Sequence, residues 1–438
     1  MKVRELIIDD AKLINGNENA TIDYFTINTN DTPKNTMFIP LKGNRDGHDF
    51  ILDNINKIKG FICDKEHEKI VKEAIKLKKD IIIIETNDPL KYMQMLAMKI
   101  RENLEIPVIA LTGSYGKTSQ REMIYSVLKT EYNVLSTKGN YNNHIGMPLT
   151  LLNYKNEDII LLELGTNHMG EIEFLRNICK PTITTITCVG TAHIGNFKNI
   201  KNTFKEKRSI IKNSEYYIQN MDDEFLRKIK YKNSIKFGKE IDIITDVHKG
   251  KKINYTIDIN NEKQKITINS DLDYLINYSI CAIKIGLLLN MDIKNIIKGI
   301  NNYQGPTGRM EKIDNDKYTI INDCYNASFE TMTSGLKYYF NLKEKNKIVI
   351  LGDILELGKQ SKKIHKNIAK FILENNLKFK EIHLVGENMK IVYKLLTKAG
   401  YNTFHYDDVS KIDKAILNDK SVYLKASHSI NLESLIKQ

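Results

Sequence analysis

Tryptophan is absent from the chain, and proline and cysteine are sparse, at 7 and 5 in 438 residues. The cysteines, Cys63, Cys179, Cys188, Cys281 and Cys324, are odd in number, widely spaced and form no CxxC pair. That pattern excludes a disulfide framework and a cysteine zinc ribbon. No stretch approaches the roughly 18 apolar residues of a membrane helix; the most apolar segments, DIIIIE and IVILGDI, are strand-sized. The opening MKVRELIIDDAKL carries acids and lacks a long apolar core. It does not read as a secretory signal, so the chain is expected to be cytoplasmic. No Ser/Gly-rich linker or low-complexity tract marks a boundary.

What is present is the length of two or three ordinary domains, with 41% hydrophobic and 27% charged residues. These values describe a soluble protein whose domains each bury their own core. The 66 basic against 54 acidic residues leave a net charge of +12. That excess fits nucleic acid, a membrane surface or an anionic small substrate, and equally a surface solvated by lysine.

Apolar strands alternate with amphipathic helices. The first series comprises extended FTINTN and TMFIPLKG, a helix through DFILDNINKI, strand GFICD, helix EKIVKEAIKLKK, strand DIIIIET and a helix over PLKYMQMLAMKIRENL. A second series begins at VIALTG and continues through YNVLST, DIILLEL and TITTITCVG. After Gly308-Arg309 the pattern restarts with TIINDCY, KIVILGD, EIHLVG and SVYLKAS. Such alternation predicts an α/β protein of three domains: a small N-terminal α/β domain over 1–103, a central doubly wound, mostly parallel sheet over 104–310, and a C-terminal Rossmann-like α/β domain over 311–438.

The sharpest local signal is the run from Ile109 to Thr118, IALTGSYGKT, a buried strand entering a glycine loop and then a helix. Backbone N–H groups and a helix N-terminus there face a phosphate, with Lys117 neutralising charge and the Thr118 hydroxyl placed for Mg²⁺. The strict GxxxxGK[ST] spacing is not met, because Leu111 stands where its first glycine belongs. Kinases, switch ATPases and ATP-dependent ligases all use such a loop. Downstream, TKGNYNNHIGMPLT is too polar for a core strand and reads as a functional loop before a helix near Pro148. The strand Leu161-Leu162-Glu163 ends in an acid that either meets a cation or faces water. His193, in GTAHIG, follows another strand, where a lone histidine is more often structural.

In this order, TGSYGKTS, TKGNYNNHIGMPLTLL, ELGTNHMGEI, VGTAHIGNF, KEKRSII, GPTGRMEKI, INDCYNASFETM, LGDILELG and YLKASHS resemble the Mur ligase family, most closely its MurF type. The resemblance spans nearly the whole chain. It implies an ATP-dependent amide ligase of cell-wall synthesis that joins D-alanyl-D-alanine to a UDP-N-acetylmuramoyl-tripeptide through an acyl phosphate. It assigns ATP to Thr112, Gly113, Ser114, Tyr115, Gly116, Lys117, Thr118 and Ser119, with Asn277 on the adenine side, Asp323 on the ribose, and Tyr325 and Asn326 near the nucleotide or the amine. Arg309, at the boundary of the second and third domains, is placed to reach ATP on closure. Two Mg²⁺ ions are implied, held by Thr118 and Glu163 and by His193 and a carbamylated Lys207. Lys117, His193 and Lys207 are the catalytic candidates. Substrate binding falls to Lys42, Gly43, Asp46, Gly47 and His48 in MFIPLKGNRDGHDFI, and to Asn140, Asn142, Asn143, Thr166 and Asn167. Asp353, Glu356, His365 and Ser427 are candidates for support or for the amine.

Three positions depart from the family pattern: Asn28-Thr29-Asn30 stands for Asp-Ser-Arg, Phe329 for proline, and Cys324 for a small hydroxyl residue. The implied partners are small molecules, with no nucleic acid and no membrane, and the expected state is a monomer. The alternatives are a Mur-type ligase that adds a different amino acid, MurE-like or an archaeal pseudomurein peptide ligase, and a nucleic-acid-stimulated P-loop ATPase. The last needs basic residues clustered beside aromatics; here they are spread over all three units.

Overall fold

The computed structural model describes residues 1–315 and 318–436. The central sheet is wholly parallel and runs, edge to edge, Ser234–Phe237, Tyr216–Asn220, Ile183–Ile186, Val108–Thr112, Ile159–Glu163, Val134–Ser136. VIALT and IILLE are buried at every position, as strands covered on both faces must be. Val108–Thr112 has later strands on both sides, so the winding reverses there. The crevice beyond the carboxyl end of such a strand is where open parallel sheets take ligands.

The first sheet runs Lys12–Asn15, Ile82–Glu85, Gly60–Cys63, Thr36–Phe38, Tyr24–Thr26, with only the first strand antiparallel. Its strands are three or four residues long. One face closes over a core of its own around Phe38, Phe61 and Val71. The other face does not: Val3, Phe25, Tyr92 and Leu96 join one apolar cluster with Val108, Leu162 and Leu175 of the central unit. Helix Pro89–Glu102 makes the join. It is started by Asp88, which accepts the N–H groups of Leu90 and Lys91 ahead of Pro89 at the first helical position, and it packs on helices Gly146–Leu152 and Glu171–Cys179. So small a sheet buries too little alone, and the expectation of one independent core per unit fails here for that reason.

The helix expected through DFILDNINKI is instead two 3₁₀ turns, Gly47–Phe50 and Leu52–Asn54. Asp46 caps the first, and the Asn54 amide donates to the Phe50 carbonyl at 2.9 Å. Asp and Asn side chains here compete for backbone groups that a helix would pair.

The third sheet runs Glu311–Asp314, Tyr318–Asn322, Lys420–Lys425, Lys347–Gly352, Glu381–Val385, Thr403–Tyr406, parallel except at Glu311–Asp314. The last part of the second unit holds elements that the alternation did not reveal: a small antiparallel sheet of Ile244–Lys249, Ile253–Ile259 and Glu262–Ile268, then helices Tyr274–Leu288 and Ile293–Asn301. Both helices pack along helix Lys117–Leu128, fixing the phosphate loop from behind.

Candidate active site

The loop from Gly113 to Gly116 needs its glycines for closeness. A Cβ on Gly113 would stand 1.8 Å from Thr187 Oγ1, and one on Gly116, at φ 77°, 1.8 Å from the Tyr278 hydroxyl. Ser114 ties the loop to the next strand end: the Gly190 N–H donates to its Oγ at 2.8 Å, and its own N–H donates to Cys188 O at 3.0 Å. Lys117 Nζ donates to Gly113 O at 2.9 Å, curling over the loop. Burial lowers its pKa from the usual lysine value, against the pull of Glu163. Arg309 Nη2 donates to Thr118 Oγ1 at 2.9 Å, and the guanidinium lies 4.1 Å from the Tyr325 ring centroid. Arg309 Nε is buried with no partner, so the cation keeps hydrogen-bonding capacity unspent beside the loop.

Three further candidates belong to the same region, Glu163 and Lys207 close enough to act on the charge of Lys117 or feel it. Glu163, at the end of its strand, accepts from Asn142 Nδ2 at 2.8 Å and, more distantly, from Arg121 Nη1 at 3.4 Å. Lys207, on helix Ile200–Arg208, is 1% exposed and has no ion-pair partner among the described residues. Desolvation first, and then the charge of Lys117, draw its pKa down to about 7. Its neighbour Glu206 does a different job: the carboxylate accepts the N–H groups of Gly170 and Ile172 and the Thr166 hydroxyl, pinning the loop that carries Asn167. His193 sits at φ 56°, and its Nδ1 is bound to the Glu356 carboxylate of the third unit.

These elements wall a cavity of about 1880 Å³ between the second and third units. It is lined by Ser114, Tyr115, Gly116, Lys117, Ser119, Glu163 and His193, by Asn140, Asn142, Asn143, Thr166 and Asn167, and by Asn277, Arg309, Asp323, Tyr325 and Asn326. Thr112, Gly113, Thr118 and Lys207 stand behind the lining. Lys42, Gly43, Asp46, Gly47 and His48 lie apart from it, on the first unit. Several lining groups are already engaged: Asn277 Nδ2 donates to Asp222 at 2.7 Å, and Lys425 Nζ pairs with Asp323 at 2.7 Å. The sequence reading missed Asp222, Lys425 and Glu330. Glu330 accepts both the N–H and the hydroxyl of Thr191, each at 2.9 Å, across the gap between units. It lies inside the matched run INDCYNASFETM, where nothing singled it out.

Asp353, His365 and Ser427 are scaffold. The Asp353 carboxylate accepts the N–H groups of Asn388 and Met389, His365 Nε2 accepts that of Ile354, and Ser427 Oγ accepts that of Leu355. Glu356 is the member of that group bound to His193, which lines the cavity. Phe329 opens helix Phe329–Asn341 behind a Ser328 cap, a position a proline also suits. Cys324 is packed at 2% exposure. Asn28-Thr29-Asn30 is a polar turn in which Asn28 Oδ1 accepts the Asn30 N–H at 3.0 Å.

Sequence comparison agrees with this geometry. Family models described as the Mur ligase middle domain and as the Mur ligase glutamate ligase domain match residues 111–301 and 308–425. The UDP-N-acetylmuramoyl-tripeptide–D-alanyl-D-alanine ligase of Buchnera aphidicola subsp. Baizongia pistaciae is 32% identical over 446 residues, covering 96% of this chain and 94% of that protein. The chain belongs to the Mur ligase family. As a Mur ligase it matches a crystal structure of MurF from Acinetobacter baumannii with TM-score 0.82 and 25% identity, over 95% of this chain and 92% of that one. A pseudomurein peptide ligase type C from Methanothermus fervidus matches at TM-score 0.63 and 16% identity, over 92% and 93%. The multidomain α/β fold is that of these ligases, and among the described residues no helix is long and apolar enough to cross a membrane.

Proposed function

We propose that this ligase joins D-alanyl-D-alanine to a UDP-N-acetylmuramoyl-tripeptide in the cytoplasm, as a monomer, with ATP converted to ADP and phosphate. The observation that carries the reading is the cavity itself: a phosphate loop on one wall, Arg309 beside it, and a third unit closing the other. The Buchnera relative and the Acinetobacter structure favour the MurF activity over the pseudomurein alternative, and nothing in the cavity favours nucleic acid. The first unit, 1–103, takes the nucleotide sugar through Lys42, Gly43, Asp46, Gly47 and His48; the central unit, 104–310, takes ATP; the third, 311–438, takes the dipeptide.

The residues fit two Mg²⁺ ions. The Thr118 hydroxyl and the Glu163 carboxylate suit the first. For the second, Glu356 holds His193 Nδ1 and leaves Nε2 as the donor, the usual orientation of a ligating histidine. Lys207 completes that set once carbamylated: its lowered pKa leaves a neutral amine near pH 7, which adds to CO₂ with loss of one proton and turns a cation beside Lys117 into an anion. The ions would neutralise phosphate charge as it shifts. Lys117, the loop amides and Arg309 hold the phosphates in line with the substrate carboxylate. That carboxylate oxygen bonds to the γ-phosphorus as the bridging oxygen leaves with ADP. The dipeptide amine then bonds to the acyl carbon, phosphate leaves and a proton is released. Glu330 and Glu356 hold the third unit against the central one so that water is excluded meanwhile.

Phosphate release with a panel of UDP-muramoyl peptides and amines tests this. Turnover should require both the UDP-tripeptide and D-alanyl-D-alanine; release without an amine acceptor, or only with nucleic acid, would sink the reading.

A further inference from the structure

One turn past Lys117 on helix Lys117–Leu128, and so on the same side of it, Arg121 is buried at 3% exposure. Like charges at that spacing repel, and a buried guanidinium is costly unless its N–H groups are met. Arg121 meets few of them well. Nη2 donates to the neighbouring Glu122 carboxylate, Nη1 is shared between Gly139 O and Glu163 Oε2 at 3.4 Å each, and Nε is buried without a partner among the described residues. A cation bonded in this way adds little to stability. What it has is position: it stands behind the cavity lining, where the phosphate-loop helix, the strand end at Glu163 and the TKGNYNN loop meet. Two further bonds tie the same junction, from Asn142 Nδ2 to Glu163 Oε1 at 2.8 Å and from the Glu163 N–H to Thr137 Oγ1 at 3.0 Å.

We infer that Arg121 is a positioning residue of the ligase: it orients the Glu163 carboxylate for Mg²⁺ and holds the loop of Asn140, Asn142 and Asn143 against that carboxylate. The inference rests on Glu163 as a metal ligand, proposed above. A carboxylate held at one oxygen by Asn142 alone can swing about its last bond. A second donor on the other oxygen fixes its plane and still leaves each oxygen a lone pair for the ion. Charge is not the property at work. A cation beside the ligand repels Mg²⁺, but Glu122 offsets it, and orientation is what remains. The two effects differ in sign: loss of a mere cation tightens metal binding, whereas loss of a brace weakens it.

The test is binding of Mn²⁺, which suits the same oxygen ligands as Mg²⁺, to the full chain with ADP, read by electron paramagnetic resonance without turnover. Glu163→Gln comes first: weakened binding identifies Glu163 as a ligand, and unchanged binding removes that reading and this inference with it. Arg121→Met should then weaken Mn²⁺ binding about 10- to 100-fold with the circular dichroism unchanged. In turnover it should raise the KM of the UDP-tripeptide while that of the dipeptide holds. Arg121→Lys, which keeps the charge and one donor, should fall between Arg121→Met and the wild type, and it answers the question if the methionine variant does not fold. With Glu163→Gln impaired, unchanged or tighter Mn²⁺ binding in the folded Arg121 variants, or an equal rise in both KM values, would overturn the role of Arg121 alone.

Discussion

The two walls of the ATP cavity are held in place by different kinds of contact. On the phosphate-loop side the groups that matter are built into packed structure: Glu163 and Lys207 are 2% and 1% exposed, and the loop glycines are locked against Thr187 and Tyr278. On the third-unit side the attachment is mostly polar and sparse. Glu330 grips Thr191, Glu356 holds His193, Tyr338 donates to Asp271, and Ile194 supplies an apolar anchor in the third unit's core. A wall held by packing cannot move without unfolding, whereas one held by a handful of hydrogen bonds, each worth about 1 kcal/mol net, can open and close. The rigid wall positions phosphate; the separable wall admits substrates and shuts out water.

Damage to the rigid wall should cost the most. Lys117→Ala is expected to lower kcat on the order of 10³-fold, the scale of losing a cation or donor aimed at transferring phosphate, with the protein still folded by circular dichroism. Lys207→Ala should cost on the order of 10²-fold in turnover, unrescued by added bicarbonate, and the wild type should show a carbamate signal by ¹³C NMR under ¹³CO₂; normal turnover in the variant would falsify the carbamate. Lys207 also makes a pH statement. Its folded pKa, about 7, lies below the unfolded lysine value, so between those two values the unfolded chain binds the extra proton and stability rises with pH. In CO₂-free buffer the wild type should gain stability as pH rises above 7, and Lys207→Met should lose that slope in denaturant titrations.

The same contrast explains what the sequence disclosed. The rigid wall is made of short contiguous runs at strand ends, so IALTGSYGKT read directly as a phosphate loop, while LLELG offered an acid at a strand end that either met a cation or faced water. Lys207 did not: in KEKRS it reads as a surface lysine, and only the packing of helix Ile200–Arg208 against the loop region makes it a buried amine. The separable wall joins residues more than a hundred positions apart, as Thr191 and Glu330 are, and no local pattern carries such a pair. Fold legibility divides likewise. Parallel strands announced themselves as apolar runs, whereas the antiparallel strands Ile244–Lys249 and Glu262–Ile268, rich in exposed polar residues, carried no comparable signal. The Asn- and Asp-rich segment at 46–58 mimicked a helix by its apolar spacing while its side chains were committed to turns.

Smaller effects are expected from the separable wall. Glu330→Gln keeps the shape but replaces a charged acceptor that takes two hydrogen bonds. With charge-assisted bonds worth about 1.5–3 kcal/mol, closure should weaken about 10-fold, visible as faster hydrolysis of ATP uncoupled from ligation.

Tyr338→Phe should give the mildest change and the cleanest comparison. The hydroxyl donates to Asp271 Oδ1 at 2.8 Å, between helix Phe329–Asn341 and the segment that precedes helix Tyr274–Leu288, at the lining of the same cavity. Removing it forfeits one bond of about 0.5–1.5 kcal/mol, so the closed form should lose about two- to tenfold in population. If the third unit is a separable wall, that loss appears in the KM of the dipeptide and in the coupling ratio while the ATP affinity of the central unit holds. If ATP affinity fell in step, the two walls would be one rigid body and the contrast between them would collapse.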